Sequence, residues 1–175
     1  MQPDLNSLKN KLQANRDFID RIAAGIPGFR GYLEKAENYD ADRMIRQFAA
    51  DKILTVKKSL AILSGDLSRE ADLNALQDID SIGNVLEGVY KKVQFAEYGP
   101  SGDFSKLKIS DEDQNRLLEF DWRLIGEFDE VVKLVSEMQN ARGEALKSAL
   151  KSVKTAILKF EKTFDERKYV IMEVI

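Results

Sequence analysis

The chain has 175 residues, a formal net charge of -3, and neither histidine nor cysteine. Disulfides, thiolate metal sites and histidine-based acid–base or metal chemistry are therefore excluded, which removes most familiar enzyme mechanisms. The small and mixed charge argues against nucleic acid binding, which demands a clustered basic face. Hydrophobic residues at 43% and charged residues at 33% are typical of a folded protein, and the length suits one domain over residues 1–175.

The first predicted helix covers approximately residues 4–25. Its apolar residues recur at steps near three and four and form a narrow seam, which suits packing against another helix. We expect Gly25 to adopt the left-handed conformation that ends a helix, and Pro27 cannot continue the helix. The segment lacks the basic-then-apolar order of a secretory signal, and no run in the chain reaches the roughly 18 apolar residues that span a membrane, so a cytoplasmic protein is expected.

The second predicted helix covers residues 32–63 and has an apolar side along its later turns. The stretch 64–66, Ser-Gly-Asp, is expected to end it. The hydroxyl of Ser68 is then expected to cap the third helix, predicted over residues 69–97, by accepting a backbone N–H that lacks a partner within the helix.

Gly83 and Gly88 interrupt the third predicted helix, at a cost of about 1 kcal/mol each relative to alanine. Either a neighbouring helix approaches closely at these positions or the helix bends. We favour close packing, because a missing side chain permits it. The irregular stretch 98–109 follows and separates the two halves of the bundle.

The last two predicted helices cover residues 111–139 and 142–167. The final helix has apolar residues at unbroken steps of four and three, which predicts a straight packed helix. The connection between the two is short, and their charge balances are opposite, so we expect an antiparallel hairpin. The apolar residues 169–175 are expected to form either an extended tail on the bundle or a strand for a partner. The predicted fold is all-α, an antiparallel helical bundle of about five helices.

The densest polar cluster lies between Gly28 and Arg46. Its cations suit a clamp for a phosphate or carboxylate near a helix N-terminus, where backbone N–H groups favour anions. In the alternative, structural interpretation, which we favour, Glu34 and Asp42 neutralise the same cations within the chain. The candidate anion or interaction site consists of Arg30, Tyr32, Lys35, Arg43 and Arg46.

Three other groups of residues have both a functional and a structural interpretation. Asp111, Glu112 and Asp113 have the hard oxygen atoms that bind metals, but they more simply favour the positive end of their helix, so no metal is expected. Trp122 is expected to be buried against the bundle rather than to mark an interface. A row of lysines in the last helix suits a membrane surface, yet we expect these side chains to face the acidic helix alongside. They are Lys147, Lys151 and Lys154.

The polar cluster also carries a motif, an IPG-aromatic-x-GY turn that leads into an EK-rich and then A-D-x-x-x-R helix. Its residues are Ile26, Pro27, Gly28, Phe29, Gly31, Tyr32, Glu34, Lys35, Ala41, Asp42 and Arg46. The pattern resembles an uncharacterised group of small bacterial helical proteins, and the stretch LLEFDWRLIGEFDEV is similar to a later helix of that group. The resemblance implies a helical bundle and supplies no activity and no catalytic residue.

The sequence therefore leads us to expect a non-enzymatic protein-interaction or scaffold protein. It would bind a protein partner or associate with itself through the seam of residues 4–25. Two alternatives stay open. One is a small-molecule anion-binding or hydrolytic protein that uses the polar cluster, and the other is a membrane-surface protein that uses residues 142–167 or 169–175. No cofactor and no catalytic residue are expected.

Overall fold

A computed structural model describes residues 38–96 and 111–174, together with Asp20, Ala24 and Gly25. Over these residues the chain forms helices and no strands, which confirms the all-α prediction. Most of the first predicted helix, residues 4–25, lies outside the described residues, and four helices are seen. They are α1 (Asn38–Glu70), α2 (Leu73–Gln94), α3 (Asp111–Met138) and α4 (Gly143–Val174).

The four helices form two antiparallel hairpins, α1–α2 and α3–α4, that pack side by side. The Lys52 ammonium of α1 pairs with Asp129 of α3, and farther along the Gln139 amide donates to the Ser59 carbonyl. From the first contact to the second, the residue numbers increase on both helices, so α1 and α3 run parallel. By the same reasoning α2 and α4 run parallel, and the two hairpin turns lie at one end of the bundle.

The pairing of α3 with α4, predicted from their short connection, is confirmed. The rings of Phe128 and Phe160 meet edge to face with centroids 4.8 Å apart, and both side chains are buried. Apolar packing of this kind holds the hairpin together. Exposed charges of the two helices pair instead with other neighbours, as Lys52 of α1 does with Asp129 and Lys92 of α2 does with Glu161.

The end of α1 differs from the prediction, because the helix runs through Gly65 to Glu70 instead of ending at residue 63. Leu67 is fully buried and continues the apolar stripe, so its burial outweighs the conformational cost of Gly65. The helix ends at Ala71, whose φ is 56°, and the Asp72 N–H donates to the Leu67 carbonyl at 3.2 Å. This is a Schellman motif with alanine at the position that usually holds glycine, so no local signal in the sequence indicates it.

The cap of α2 is Asp72, and the prediction of Ser68 was wrong. The Asp72 carboxylate accepts the Ala75 N–H at 3.1 Å, which satisfies a backbone donor that has no partner within the helix. Ser68 lies inside α1, where its hydroxyl donates to the Ser64 carbonyl one turn earlier. The capping residue lies later in the chain than predicted because α1 is longer than expected.

Three glycines also behave differently from expectation. A Cβ atom at Gly83 or Gly88 would meet nothing within 4 Å, so neither marks a close helix approach. Gly25 is helical, and among the described glycines the left-handed φ of 58° belongs to Gly143. A Cβ at Gly25 would lie 2.6 Å from Cη2 of Trp122. Gly25 thus makes room for the indole ring, which is partly buried against the core as expected.

The C-terminal apolar residues are helical rather than extended. α4 continues to Val174, where the prediction placed a tail or strand over residues 169–175. Val170 packs against the core, whereas the Tyr169 side chain is 53% exposed. Each added residue gains one backbone hydrogen bond once a helix exists, and this outweighs the preference of β-branched residues for strands.

Candidate functional site

An ionic pair occupies a core layer between α3 and α4. Phe128 faces Phe160, and one heptad farther from the hairpin turn the same register places Asp121 opposite Arg167. The exposed fractions of Asp121 and Arg167 are 2% and 3%, as low as those of the apolar core. The heptad repeat therefore continues through this layer, with charge in place of hydrocarbon.

The geometry of the pair is bidentate. Nε of Arg167 donates to Oδ1 of Asp121 at 2.8 Å, and Nη2 donates to Oδ2 at 2.9 Å. Burial raises the pKa of the Asp121 carboxyl, an effect that the positive charge of Arg46 opposes, and burial lowers the pKa of Arg167. Desolvation thus acts against both charges, and the two parallel hydrogen bonds favour the ionised pair.

The predicted anion site is described only in part. Arg46 is half-buried in α1, and its charge acts on Asp121. Arg43 belongs to α1, but its side chain lies outside the described residues, as do Arg30, Tyr32 and Lys35. The proposed neutralising side chains of Glu34 and Asp42 also lie outside them. The choice between an anion clamp and an internal charge network therefore stays a prediction for this cluster.

The sequence analysis did not predict that Asp121 pairs with Arg167, although both residues continue the apolar repeat of their helices. The apolar residues of α4 follow steps of four and three up to Phe164, and the next step of three reaches Arg167. Asp121 lies seven residues before Phe128 and is therefore in phase with the core of α3. Charged residues that continue an apolar repeat are candidates for buried pairing.

A second feature is an open groove between α2 and α4 at the hairpin end, here called the α2–α4 groove. It has two adjoining wells of about 640 and 250 Å³ that share Asp78, Lys147 and Leu150. Their floor includes the edges of two buried residues, Ile82 and Leu150. The polar side chains along its walls are Asp72 and Asp78 on one side and Glu144, Lys147, Lys151 and Lys154 on the other.

The lysines of α4 line this groove, so the expectation that they face the acidic helix α3 was wrong. Lys147, Lys151 and Lys154 recur once per turn, and all three lie on the side of α4 that is turned to α2. Which neighbour this flank meets depends on how the two hairpins pack. The parallel pairing of α2 with α4 brings Ser81 to Lys154, and the ammonium donates to its hydroxyl at 2.9 Å.

The lysines of the groove differ in their bonding partners from other lysines that lie between helices. Lys57 pairs with Glu87. Lys92 bonds to the carboxylate of Glu161 at 2.6 Å, and this hydrogen bond raises the pKa of Lys92. In the groove, by contrast, Lys154 bonds to a neutral hydroxyl. Among the side chains that the structure describes, no carboxylate lies within ion-pair distance of Lys151 or Lys154, although Asp78 lines the same well. Two positive charges beside an apolar floor thus lack an acidic partner from the described chain.

Two kinds of feature are absent from the two described segments. No group of three or more acidic side chains in these segments is arranged to hold a metal ion. No helix there is long and apolar enough to cross a membrane. The acidic side chains of Asp111, Glu112 and Asp113 lie outside the described residues.

The fold is that of a four-helix assembly over the described residues. Comparison with protein-family models, curated proteins and solved structures finds no match for the chain. The resemblance to small bacterial helical proteins accordingly stays a prediction. The groove and its lysines are therefore the basis for the functional proposal.

Proposed function

We propose that this protein is a non-enzymatic interaction bundle that binds a segment of a partner protein in the α2–α4 groove. The observation that carries the proposal is the pair of ammonium groups, Lys151 and Lys154, with no carboxylate partner among the described residues. They border a floor that includes Leu150 and Ile82. A partner that contributes carboxylates and an apolar side chain would satisfy both the charge and the floor.

The shape of the groove supports a protein segment as the ligand. Along α2 the groove extends from the cap residue Asp72 to Ile82, a separation of ten helical steps, which is roughly 15 Å at the helical rise of 1.5 Å per residue. Two adjoining wells along this length can take two side chains of one segment. Grooves between helices commonly bind amphipathic segments in this manner.

Site-specific photo-crosslinking in a lysate of the source cells tests the proposal. A benzophenone amino acid at Lys151 is expected to form an adduct with a protein, and the adduct should disappear when Lys147 and Lys154 are both changed to glutamate. The matched control is the same probe at Lys133 of α3, whose side chain is 65% exposed and lies outside the groove. Equal adducts at both positions, or none at Lys151, would rule out the groove as the binding surface.

A further inference from the structure

The charge of the α2–α4 groove changes sign along its length. Two carboxylates, those of Asp72 and Glu144, lie toward the hairpin end, whereas Asp78 lines the same well as Lys151 and Lys154, which outnumber it. Asp72 is already engaged in capping α2, and Glu144 lies 3.7 Å from Lys147. The remaining positive charge is concentrated farther along α4, at Lys151 and Lys154. A ligand that matches the groove therefore carries its negative charge at one end.

Beyond the first turns of α2 and α4, the walls of the groove offer side chains and almost no backbone partners. α2 and α4 use their interior N–H and C=O groups in their own helical hydrogen bonds. An extended peptide in the groove would lose water from its backbone without gaining new partners, which is unfavourable. A helical segment satisfies its own backbone and presents side chains at intervals of three and four residues. The lysines at 147, 151 and 154 follow the same intervals.

From these two observations we infer that the ligand is an amphipathic helical segment of a partner protein, acidic at the end that covers Lys151 and Lys154. Its apolar residues contact the floor at Leu150 and Ile82, and the less acidic end lies toward Asp72 and Glu144. This inference rests on the proposed function and adds the chemistry of the partner. The groove length sets the bound segment at about three helical turns.

A peptide-binding experiment tests the chemistry of the ligand. The probe is a fluorescein-labelled peptide of three to four turns, with leucine on one face and glutamates beside that face near one end. Fluorescence anisotropy with the full chain is expected to show saturable binding that weakens with salt, because exposed charges are screened. There are two comparison peptides. One has the same composition in scrambled order, and the other has lysine in place of each glutamate. Both should bind on the order of tenfold more weakly or not at all.

Variants of the protein locate the binding. The triple variant K147E/K151E/K154E is expected to bind the acidic peptide on the order of tenfold or more weakly. The matched control K58E/K133E/K159E makes the same change in net charge at three exposed lysines outside the groove and should bind normally. Circular dichroism confirms that both variants stay folded. Equal binding by the two variants, or equal binding of the scrambled peptide, would overturn the inference.

Two further outcomes separate this inference from the proposed function. If the Lys151 crosslink maps to a basic or extended segment of a partner, the inference is wrong while the interaction function stands. If no partner crosslinks at Lys151, the function itself fails. Binding to phosphatidylserine vesicles that requires the three lysines, with no binding of the acidic peptide, would also overturn the inference in favour of a membrane surface.

Discussion

Asp121 and Arg167 face each other one heptad beyond the Phe128–Phe160 pair, and both are as buried as those rings. A buried ion pair is a poor source of stability, because desolvation of the charges offsets their attraction. The pair nevertheless requires one alignment of the two helices, since a shift of either helix would separate the two buried charges. The pair therefore discriminates against wrong alignments of α3 and α4.

The first prediction concerns the separation of this pair. Asp121→Leu leaves two guanidinium groups, of Arg167 and Arg46, near an apolar side chain, so we expect a loss of about 3–5 kcal/mol in the free energy of unfolding. Arg167→Met should cost less, because the charge of Arg46 still acts on the Asp121 carboxylate. Urea denaturation of each variant measures both values.

The double variant D121L/R167M completes the thermodynamic cycle. It is expected to lose less stability than D121L alone, because the buried charge of Arg167 is removed together with the carboxylate that it bonds. The exposed pair Lys133–Glu137, with atoms 4.0 Å apart, is the control and should show a coupling near zero. Additive losses at Asp121 and Arg167 would contradict the assignment of a coupled pair.

The second prediction concerns the two open glycines of α2. Gly83→Ala and Gly88→Ala should each raise the free energy of unfolding by up to about 1 kcal/mol, because alanine favours the helix and the added Cβ meets no atom within 4 Å. Thermal or urea unfolding measures the gain. Gly143→Ala is the contrasting control, since its φ of 58° disfavours a Cβ and the change should be destabilising.

The third prediction concerns the contact between Gly25 and the only tryptophan of the chain. Gly25→Ala places a Cβ 2.6 Å from Cη2 of Trp122, so either the ring or the Gly25 backbone must move. We expect the tryptophan emission to shift and the protein to lose stability. Ala24→Gly, a change at the exposed neighbour of Gly25, is the control for the emission spectrum. An unchanged emission spectrum in Gly25→Ala would show that this contact does not form in solution.

The fourth prediction concerns Ala71, which holds a left-handed φ of 56° between α1 and α2. Left-handed backbone costs an alanine roughly 1–2 kcal/mol, a cost that glycine avoids. Ala71→Gly should therefore stabilise the protein by up to about 1 kcal/mol, as measured by urea unfolding. Ala24→Gly, at an exposed helical position, is expected to do the opposite. A loss of stability in Ala71→Gly would count against the Schellman geometry.

The fifth prediction concerns the pKa of Glu87. Hydrogen bonds from Lys57 and then Lys91 hold this pKa below its ordinary value of 4.5. Because the pKa is lower in the folded state, the interaction stabilises the protein above pH 4.5, and this contribution is lost as the pH falls through the folded pKa. In Lys57→Met the pKa should rise toward 4.5, as followed by NMR titration of the carboxyl carbon. Lys58→Met should leave it unchanged.

The apolar repeats were sufficient to predict the class of fold and the location of the helices within the described residues. The stripe of α4 predicted its packed face correctly, because helical periodicity is a property of the chain alone. Helix ends were predicted less well. At the end of α1, burial of Leu67 outweighed the local signal of Gly65, and this burial depends on neighbours distant in sequence.

The candidate site illustrates the same division. The sequence alone determined that three lysines recur along one flank of α4 and that Arg167 continues its apolar repeat. Only the tertiary structure decided that this flank meets α2 instead of the acidic α3, and that Asp121 lies opposite Arg167. Spacing along one helix fixes which residues share a face, whereas the neighbour of that face depends on how whole hairpins bury their apolar surfaces together.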